Sequence, residues 1–251
     1  MSNGLLPSRT PGCIPIVPVV VDEFATWLER RDESLRRWLT ATGFKAKPGS
    51  FNLVPGADGQ LRAVVAGIGN PDDLWALGGL PLALPEGDYV LDAPLEPRQL
   101  ERLTLGWALG SYQFARYREP KRATARLALD PACDAECIHR QAEAVKWVRD
   151  LINIPAEDMM PEHLAEAMRT LGQEFGVTME QIVGEDLLAR NFPLIHAVGR
   201  ASSHPPRLLD LRWGNPTHPK VTLLGKGVCF DSGGLDLKPS SAMRLMKKDM
   251  G

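Results

Sequence analysis

The sequence predicts an α/β fold with two domains. Short apolar segments rich in β-branched residues alternate with segments whose apolar residues recur at helical spacing. The 251 residues are 44% hydrophobic and 24% charged, a composition typical of globular proteins of one large or two modest domains. A long helical pattern near the middle separates two such alternating series.

The first series is expected to form an α/β domain over residues 1–130. An apolar segment from Ile14 to Val21 precedes a helical pattern over residues 22–44, in which these apolar residues share one side: Phe24, Trp27, Leu28, Leu35, Trp38 and Leu39. Turn residues separate the next strand patterns, which are Ser50 to Val54, Leu61 to Gly67 and Asp88 to Ala93. Residues 69–84 predict a short helix or loop. A helix over Glu96 to Tyr117 and a strand over Ala123 to Asp130 complete the series.

A linker of residues 131–156 is predicted to be mostly helical, from about Asp134 to Asn153, and Pro155 ends it. The second α/β series, residues 157–251, begins with the helix "MPEHLAEAMRTLGQEFG" and the strand "VTMEQIV". Next come the short helix "GEDLLARN", a strand with its loop in "PLIHAVGRAS", and a strand in "PRLLDLRWG". The last strand, Val221 to Leu224, is short, mainly apolar and β-branched at its start, as expected for a strand buried on both faces of a sheet.

Charge and hydropathy argue against two classes of partner. The net charge of −2 gives no overall electrostatic attraction to nucleic acid or an anionic membrane. The basic segment "RYREPKRATAR" is interpreted as a solvated loop rather than a phosphate-binding patch. No apolar run approaches the ~20 residues that span a bilayer, and the first residues lack a basic secretion-signal region. The sequence therefore predicts a cytoplasmic protein.

The four cysteines are too few and too scattered to form a disulfide framework. Cys133, Cys137 and His139 are close enough in sequence for a metal site to be conceivable. No second Cys/His pair follows at zinc-finger spacing, so packing or chance is the favoured interpretation.

The segment "GKGVCFDSGGLDLKPSSAMRLMKKDMG", residues 225–251, concentrates charges behind the last predicted strand. Ligands of open α/β sheets bind beyond the carboxyl ends of strands, and the glycines allow close backbone approach. Three interpretations compete: an ordinary charged turn, a phosphate loop and a divalent-cation site. The phosphate-loop pattern is absent because the lysine precedes the glycine pair. Asp231 and Asp249 offer the oxygen ligands that hard cations take.

These residues resemble the signature segment of the leucyl aminopeptidase (cytosol aminopeptidase) family of dinuclear metallo-aminopeptidases. The matching features are a lysine in G-K-G, an aspartate five residues later in F-D-S-G-G, a lysine in L-K-P seven further on, and an aspartate in D-M-G after another eleven. "VRDLINIPAEDMMPEHLAE" resembles the family's start of the catalytic domain, and "AVGRASSHPPRLLDLRW" its next strand pair. The resemblance is strong over roughly residues 145–251. It implies an α/β/α sandwich for the catalytic domain.

The resemblance assigns a role to each candidate residue. It implies that Lys226, Asp231 and Asp249 coordinate one divalent metal ion, with Asp231 bridging to a second. Lys226 would have to be a neutral amine, since an ammonium has no lone pair, and the metal charge and desolvation would displace its proton. Lys238 would stay protonated and stabilise the gem-diolate formed from the scissile carbonyl. Met246 would line the pocket for a leucine-like first side chain, although a core methionine is also compatible with its position.

The family also implies cofactors and partners. Zinc or manganese is the favoured metal, and magnesium or cobalt also suits the ligands. A bicarbonate ion would be a possible general base, the substrate would be a peptide, and the assembly a homo-hexamer. The family's second segment, N-T-D-A-E-G-R, supplies the remaining ligands and the bicarbonate-binding arginine, and it does not occur in these 251 residues.

We therefore expect a front portion of a longer protein, truncated inside the signature segment and inactive alone. The alternative is a non-catalytic assembly or regulatory module that retains a degenerate metal loop. A nucleotide-binding protein is a more distant alternative, which an ATP titration with and without divalent metal would test.

Overall fold

A computed structural model describes residues 3–229, 237–244 and 246–250. The described residues form two compact units, residues 1–146 and 147–251, and the boundary falls within one long helix, α5 (Ala135–Asn153). The two units are described separately below. The α/β class predicted from the sequence is confirmed.

The first unit is built around a six-stranded sheet of order β1-β6-β5-β2-β4-β3. All its pairings are parallel except that between β3 and β4, which is antiparallel. The strands are β1 (Leu5–Leu6), β2 (Ile14–Val20), β3 (Phe51–Pro55), β4 (Leu61–Ile68), β5 (Asp88–Leu91) and β6 (Arg126–Ala128). Every strand predicted in this region is present, although β6 is shorter than its pattern. The two-residue strand β1 was not predicted.

The helices of the first unit are α1 (Phe24–Glu29), α2 (Glu33–Ala41), α3 (Leu80–Ala83) and α4 (Pro97–Gly110). The single helix predicted over residues 22–44 is thus divided in two. Asp32 begins α2 by accepting a hydrogen bond from the backbone N–H of Leu35 (2.9 Å), and this cap starts a new helix. The helix predicted to reach Tyr117 ends instead at Gly110, where Ser111 is the C-cap residue.

The core of the first unit lies between the sheet and its helices. The largest fully buried side chain is Trp107 of α4, whose indole Nε1 donates a hydrogen bond to the carbonyl oxygen of Gly4 (3.0 Å). Helix α4 packs closely against the backbone of Leu74 and Gly78 because it carries Gly106 and Gly110 at the contact. A Cβ atom at Gly106 would lie only 1.7 Å from the carbonyl oxygen of Leu74. This segment of backbone therefore requires glycine.

The second unit contains a two-stranded antiparallel sheet of β7 (Thr178–Val183) and β8 (Arg207–Arg212). Its helices are α6 (Pro161–Glu174), α7 (Asp186–Ala189), α8 (Pro193–Gly199) and α9 (Ser240–Met243), with short 3-10 segments at Ala156–Asp158 and Met246–Met250. The predictions for α6, β7, α7 and β8 are confirmed.

Two strand predictions in the second unit are wrong. The segment "PLIHAVGRAS" contains helix α8, with Pro193 in the first turn and Leu194 and Val198 four residues apart. Val221 to Leu224 form no strand, and Leu223 and Leu224 are 92% and 95% exposed. A strand needs a hydrogen-bonded neighbour, and no described strand pairs with this segment.

Candidate metal centre

The segment carrying the first candidate ligand follows β8 through a hydrogen-bonded turn. The side-chain Oδ1 of Asn215 accepts from the backbone N–H of Thr217 (2.9 Å), and the carbonyl of Asn215 accepts from the N–H of His218 (3.1 Å). The chain then continues without regular structure to Lys226, whose side chain is exposed. None of the ion pairs between described residues includes Lys226.

The chain becomes buried within three residues after Lys226. A Cβ atom at Gly227 would lie 2.7 Å from Cδ2 of Leu164 in α6, so the backbone of Gly227 is in close contact with that side chain. Val228 is partly buried and Cys229 is 5% exposed. The exposed lysine is thus attached to a backbone that packs against α6 one residue later.

The remaining candidates are described to different extents. Lys238 is exposed and lies two residues before α9. Met246 is partly buried and begins the 3-10 segment Met246–Met250, which also contains the backbone of Asp249. The side chain of Asp249 and all of Asp231 lie outside the described residues. The proposed meeting of Lys226 with the two aspartates therefore stays a prediction. Among the described residues there is no group of three or more His, Cys, Asp and Glu side chains that could hold a metal ion.

The first turn of α6 carries a charged cluster that the sequence did not indicate. The Glu162 carboxylate forms a hydrogen bond with Nδ1 of His204, and its Oε2 atom lies 3.8 Å from Nη2 of Arg207. Partial burial acts to raise the pKa of Glu162, but hydrogen bonds from its own backbone N–H and from His204 outweigh that effect. The charge interaction with His204 adds to them, and the pKa of Glu162 lies below its ordinary value.

Glu162 is separated from His204 by about forty residues, so no local spacing rule could have joined them. His204 and Arg207 flank Pro205 and Pro206 at the entry to β8. The cluster therefore ties the start of α6 to the segment leading into β8.

A groove of about 310 Å³ lies on one face of the β7–β8 sheet, away from the candidate ligands in sequence. Its charged side chains are paired with one another: Arg190 with Glu180 (2.6 Å) and Arg212 with Asp210 (2.7 Å). The hydrogen bond from Arg212 lowers the pKa of Asp210. Because these charges satisfy one another, the groove offers no evident binding chemistry.

The cysteine-containing segment and the basic loop make contacts of other kinds. Sγ of Cys137 accepts from Nε2 of Gln141 (3.0 Å), and Nδ1 of His139 lies 2.8 Å from Nδ2 of Asn3. Burial is the main cause that raises the pKa of Cys133.

In the basic segment, the guanidinium of Arg122 donates to backbone carbonyls, including that of Leu82 (3.1 Å), and Arg126 pairs with Asp88 (2.7 Å). These two arginines have structural partners.

Both parts of the chain match family models. Residues 14–130 match the model described as "M17 aminopeptidase, N-terminal domain", and residues 146–251 match "Cytosol aminopeptidase family, catalytic domain". A "Probable cytosol aminopeptidase" of Leifsonia xyli is 32% identical over 247 residues, 87% of this chain and 47% of that protein. A "Peptidase B" of Cronobacter sakazakii is 42% identical over 145 residues, 54% of this chain and 33% of that protein.

Solved structures show the same similarity. The crystal structure of a cytosol aminopeptidase from Coxiella burnetii has a TM-score of 0.89 and 41% identity, covering 99% of this chain and 55% of that one. The bottromycin maturation enzyme BotP in complex with Mn has a TM-score of 0.72 and 29% identity, covering 94% and 52%. The chain spans about half the length of the full-length relatives it matches over most of its own length.

Proposed function

The chain belongs to the cytosol aminopeptidase family, and from this premise we propose that the complete protein hydrolyses the N-terminal residue from peptides by means of two divalent metal ions. The observation that carries the proposal is the joint spacing of Lys226, Asp231, Lys238 and Asp249 within the region that matches the catalytic-domain model. The alternative of a non-catalytic module is not favoured by these matches.

The donor types fit a divalent cation. Lys226, Asp231 and Asp249 would hold one ion, with Asp231 shared by the second, and they supply two carboxylates and an amine. The exposed Lys226 side chain is paired with no described carboxylate, so it is available as a ligand once its proton is lost. When bound, the metal ions would supply Lewis-acid polarisation of the substrate carbonyl and a nucleophile at neutral pH.

The other candidate residues act on the substrate. Lys238 would keep its proton and place an ammonium charge where negative charge develops on the attacked carbonyl oxygen. Because that charge is absent from the substrate itself, the interaction would lower the barrier rather than tighten ground-state binding. Met246 is partly buried, consistent with either an apolar pocket wall or a packing role, and we propose that it contacts a leucine-like first side chain.

Several finer features belong to the same proposal. Manganese is a reasonable metal because a related structure carries it, and zinc is the second choice. The bicarbonate base, the hexameric assembly and the cytoplasmic location stay predictions. In the described part of the chain, no helix is both long enough and apolar enough to cross a bilayer.

The test compares residues 1–251 with the complete protein, using release of leucine from a leucyl amide with and without Mn²⁺ or Zn²⁺. We expect metal-dependent release by the complete protein and none by the shorter chain, because the family's second ligand segment is absent from these residues. In the complete protein, Asp231→Asn and Lys226→Ala should each lower kcat/KM by about a hundredfold or more.

Asp236→Asn is the matched control, since it removes a carboxylate of the same sequence segment, residues 225–251, that lies outside the family's ligand set. Its activity should stay near that of the wild type. Robust activity of residues 1–251 alone, or an equal loss in the Asp236 variant, would overturn the ligand assignment.

A further inference from the structure

The backbone that carries Lys226 rests against one side chain of α6. The position of a Cβ atom on Gly227 is 2.7 Å from Cδ2 of Leu164, which is closer than two carbon atoms approach without displacement. The residues before Gly227 are exposed, whereas Cys229 two residues later is buried. Gly227 is therefore the point where the exposed segment meets the body of the second unit.

Leu164 belongs to the first turn of a helix that is itself anchored. Pro161 starts α6, and the N–H of Met160 donates to Nδ1 of His163 (3.0 Å). Glu162 joins this turn to His204 and Arg207, which precede and begin β8. The chain reaches Lys226 from β8. The segment that leads to Lys226 is therefore linked to the first turn of α6 at both ends. Before β8 the link is made through Glu162, and beside Lys226 it is made through Leu164.

We propose that the first turn of α6 is a platform that positions Lys226, with Leu164 as the contact and Glu162 as the anchor. Leu164 and Glu162 are then positioning residues for the metal ligand, and a side chain at position 227 would have to displace the end of the Leu164 side chain. The functional part of this inference rests on the proposed function. The packing part concerns only contacts within the second unit.

The contact between Gly227 and Leu164 can be tested by enlarging the side chain at one position and shortening it at the other. Gly227→Val puts a branched side chain where Leu164 now lies and should lift the loop. Leu164→Ala removes the support and leaves a gap. The double variant places the valine in the space that the leucine vacated, so the two changes should compensate. The φ of Gly227 is not in the left-handed region, so valine adds no backbone strain of that kind.

The buried thiol of Cys229 provides the measurement in the 251-residue protein. Its rate of alkylation, followed by mass spectrometry of the Cys229 peptide, reports how often the loop lifts from the unit. We expect each single variant to raise this rate by about tenfold and the double variant to return within about twofold of the wild type. Additive increases in the double variant would overturn the platform.

Glu162→Gln tests the anchor, and Glu166→Gln is its control. Glu166 lies on the same helix, and its ion pair is with Arg169 of that helix, with both side chains exposed to solvent. Glu162→Gln should raise the alkylation rate of Cys229 severalfold, and Glu166→Gln should not. Equal effects of the two variants would show that α6 acts only through general stability.

A second readout connects the platform to the metal. In the complete protein, Leu164→Ala should raise the Mn²⁺ dissociation constant by about tenfold, with recovery in the double variant, because residues behind a ligand fix its geometry. A purely structural role would lower the midpoint of thermal unfolding and leave this constant unchanged. If the wild-type protein bound no Mn²⁺, the proposed function would fail. The alkylation rates of Cys229 in the single and double variants would still test the contact between Leu164 and Gly227.

Discussion

The two units use their apolar residues differently. In the first unit, β2 pairs with a strand on each side and the side chains between the sheet and α4 are fully buried. In the second unit, Leu194, Leu223 and Leu224 are among the most exposed large apolar residues, and the sheet has two strands. Apolar character alone therefore does not determine burial.

This difference in burial arises because the strands of the first unit have hydrogen-bonded neighbours, whereas residues 221–224 have none among the described residues. An isolated two-stranded sheet is marginal in water, and a fully apolar strand is stable only between neighbours that satisfy its backbone and cover its faces. Val64 in β4 has such neighbours and is completely buried. Val221 has none among the described residues, and it is exposed.

The largest expected difference between the two units is in the rates of amide hydrogen exchange. Amide protons of β4, such as that of Val65, should exchange about a thousandfold or more slowly than those of Val221 to Leu224, because their opening requires unfolding of the sheet. Exchange measured residue by residue by NMR would check this. Comparable protection in both segments would mean that Val221 to Leu224 are paired in solution.

A pair of tryptophans gives the next largest contrast. Trp107→Ala should lower the free energy of unfolding of the first unit by about 3–5 kcal/mol, since it removes a fully buried ring and its hydrogen bond to Gly4. Trp213→Ala is the matched control in the second unit, where the ring is 77% exposed, and it should cost about 0.5 kcal/mol or less. Urea denaturation followed by circular dichroism would measure both, and similar costs would contradict the contrast.

A pair of glycines tests the close packing of α4. Gly106→Ala should destabilise the first unit by about 1–3 kcal/mol, because the new Cβ atom meets a backbone carbonyl that cannot rotate away. Nothing lies within 4 Å of the corresponding atom at Gly79, so Gly79→Ala should be close to neutral. Thermal unfolding of the two variants would separate these outcomes, and a tolerated Gly106→Ala would refute the close approach.

The smallest effect concerns pH and the second unit. Because the pKa of Glu162 is depressed in the folded protein, its contribution to stability is complete above its ordinary value of 4.5 and is lost as the pH falls below that value. Glu162→Gln should therefore flatten the loss of stability as the pH falls below 4.5. The difference should be about 1 kcal/mol or less, since the carboxylate is partly exposed to solvent. Unfolding measured across this range would check it, and an unchanged slope would contradict the assigned cause.

Local patterns predicted most elements of both units. The caps found at α2 and α4 are local features as well, because Asp32 and the Glu96/Gln99 pair satisfy the first N–H groups of their helices from within a few residues. The single helix predicted over residues 22–44 was wrong because its apolar period continues across the Asp32 cap. The strand predicted at "PLIHAVGRAS" was wrong because a short apolar run does not distinguish strand from helix without its neighbours.

The sequence by itself determined the α/β alternation, the family and the candidate ligands, because helical period, turn residues and motif spacing are properties of neighbouring positions. Only the tertiary structure decided that Leu164 lies against Gly227 and that Glu162 reaches His204 and Arg207. It also decided that α4 needs glycine where it meets Leu74. These are contacts between residues far apart in the chain, and their energies depend on packing geometry that local composition does not encode.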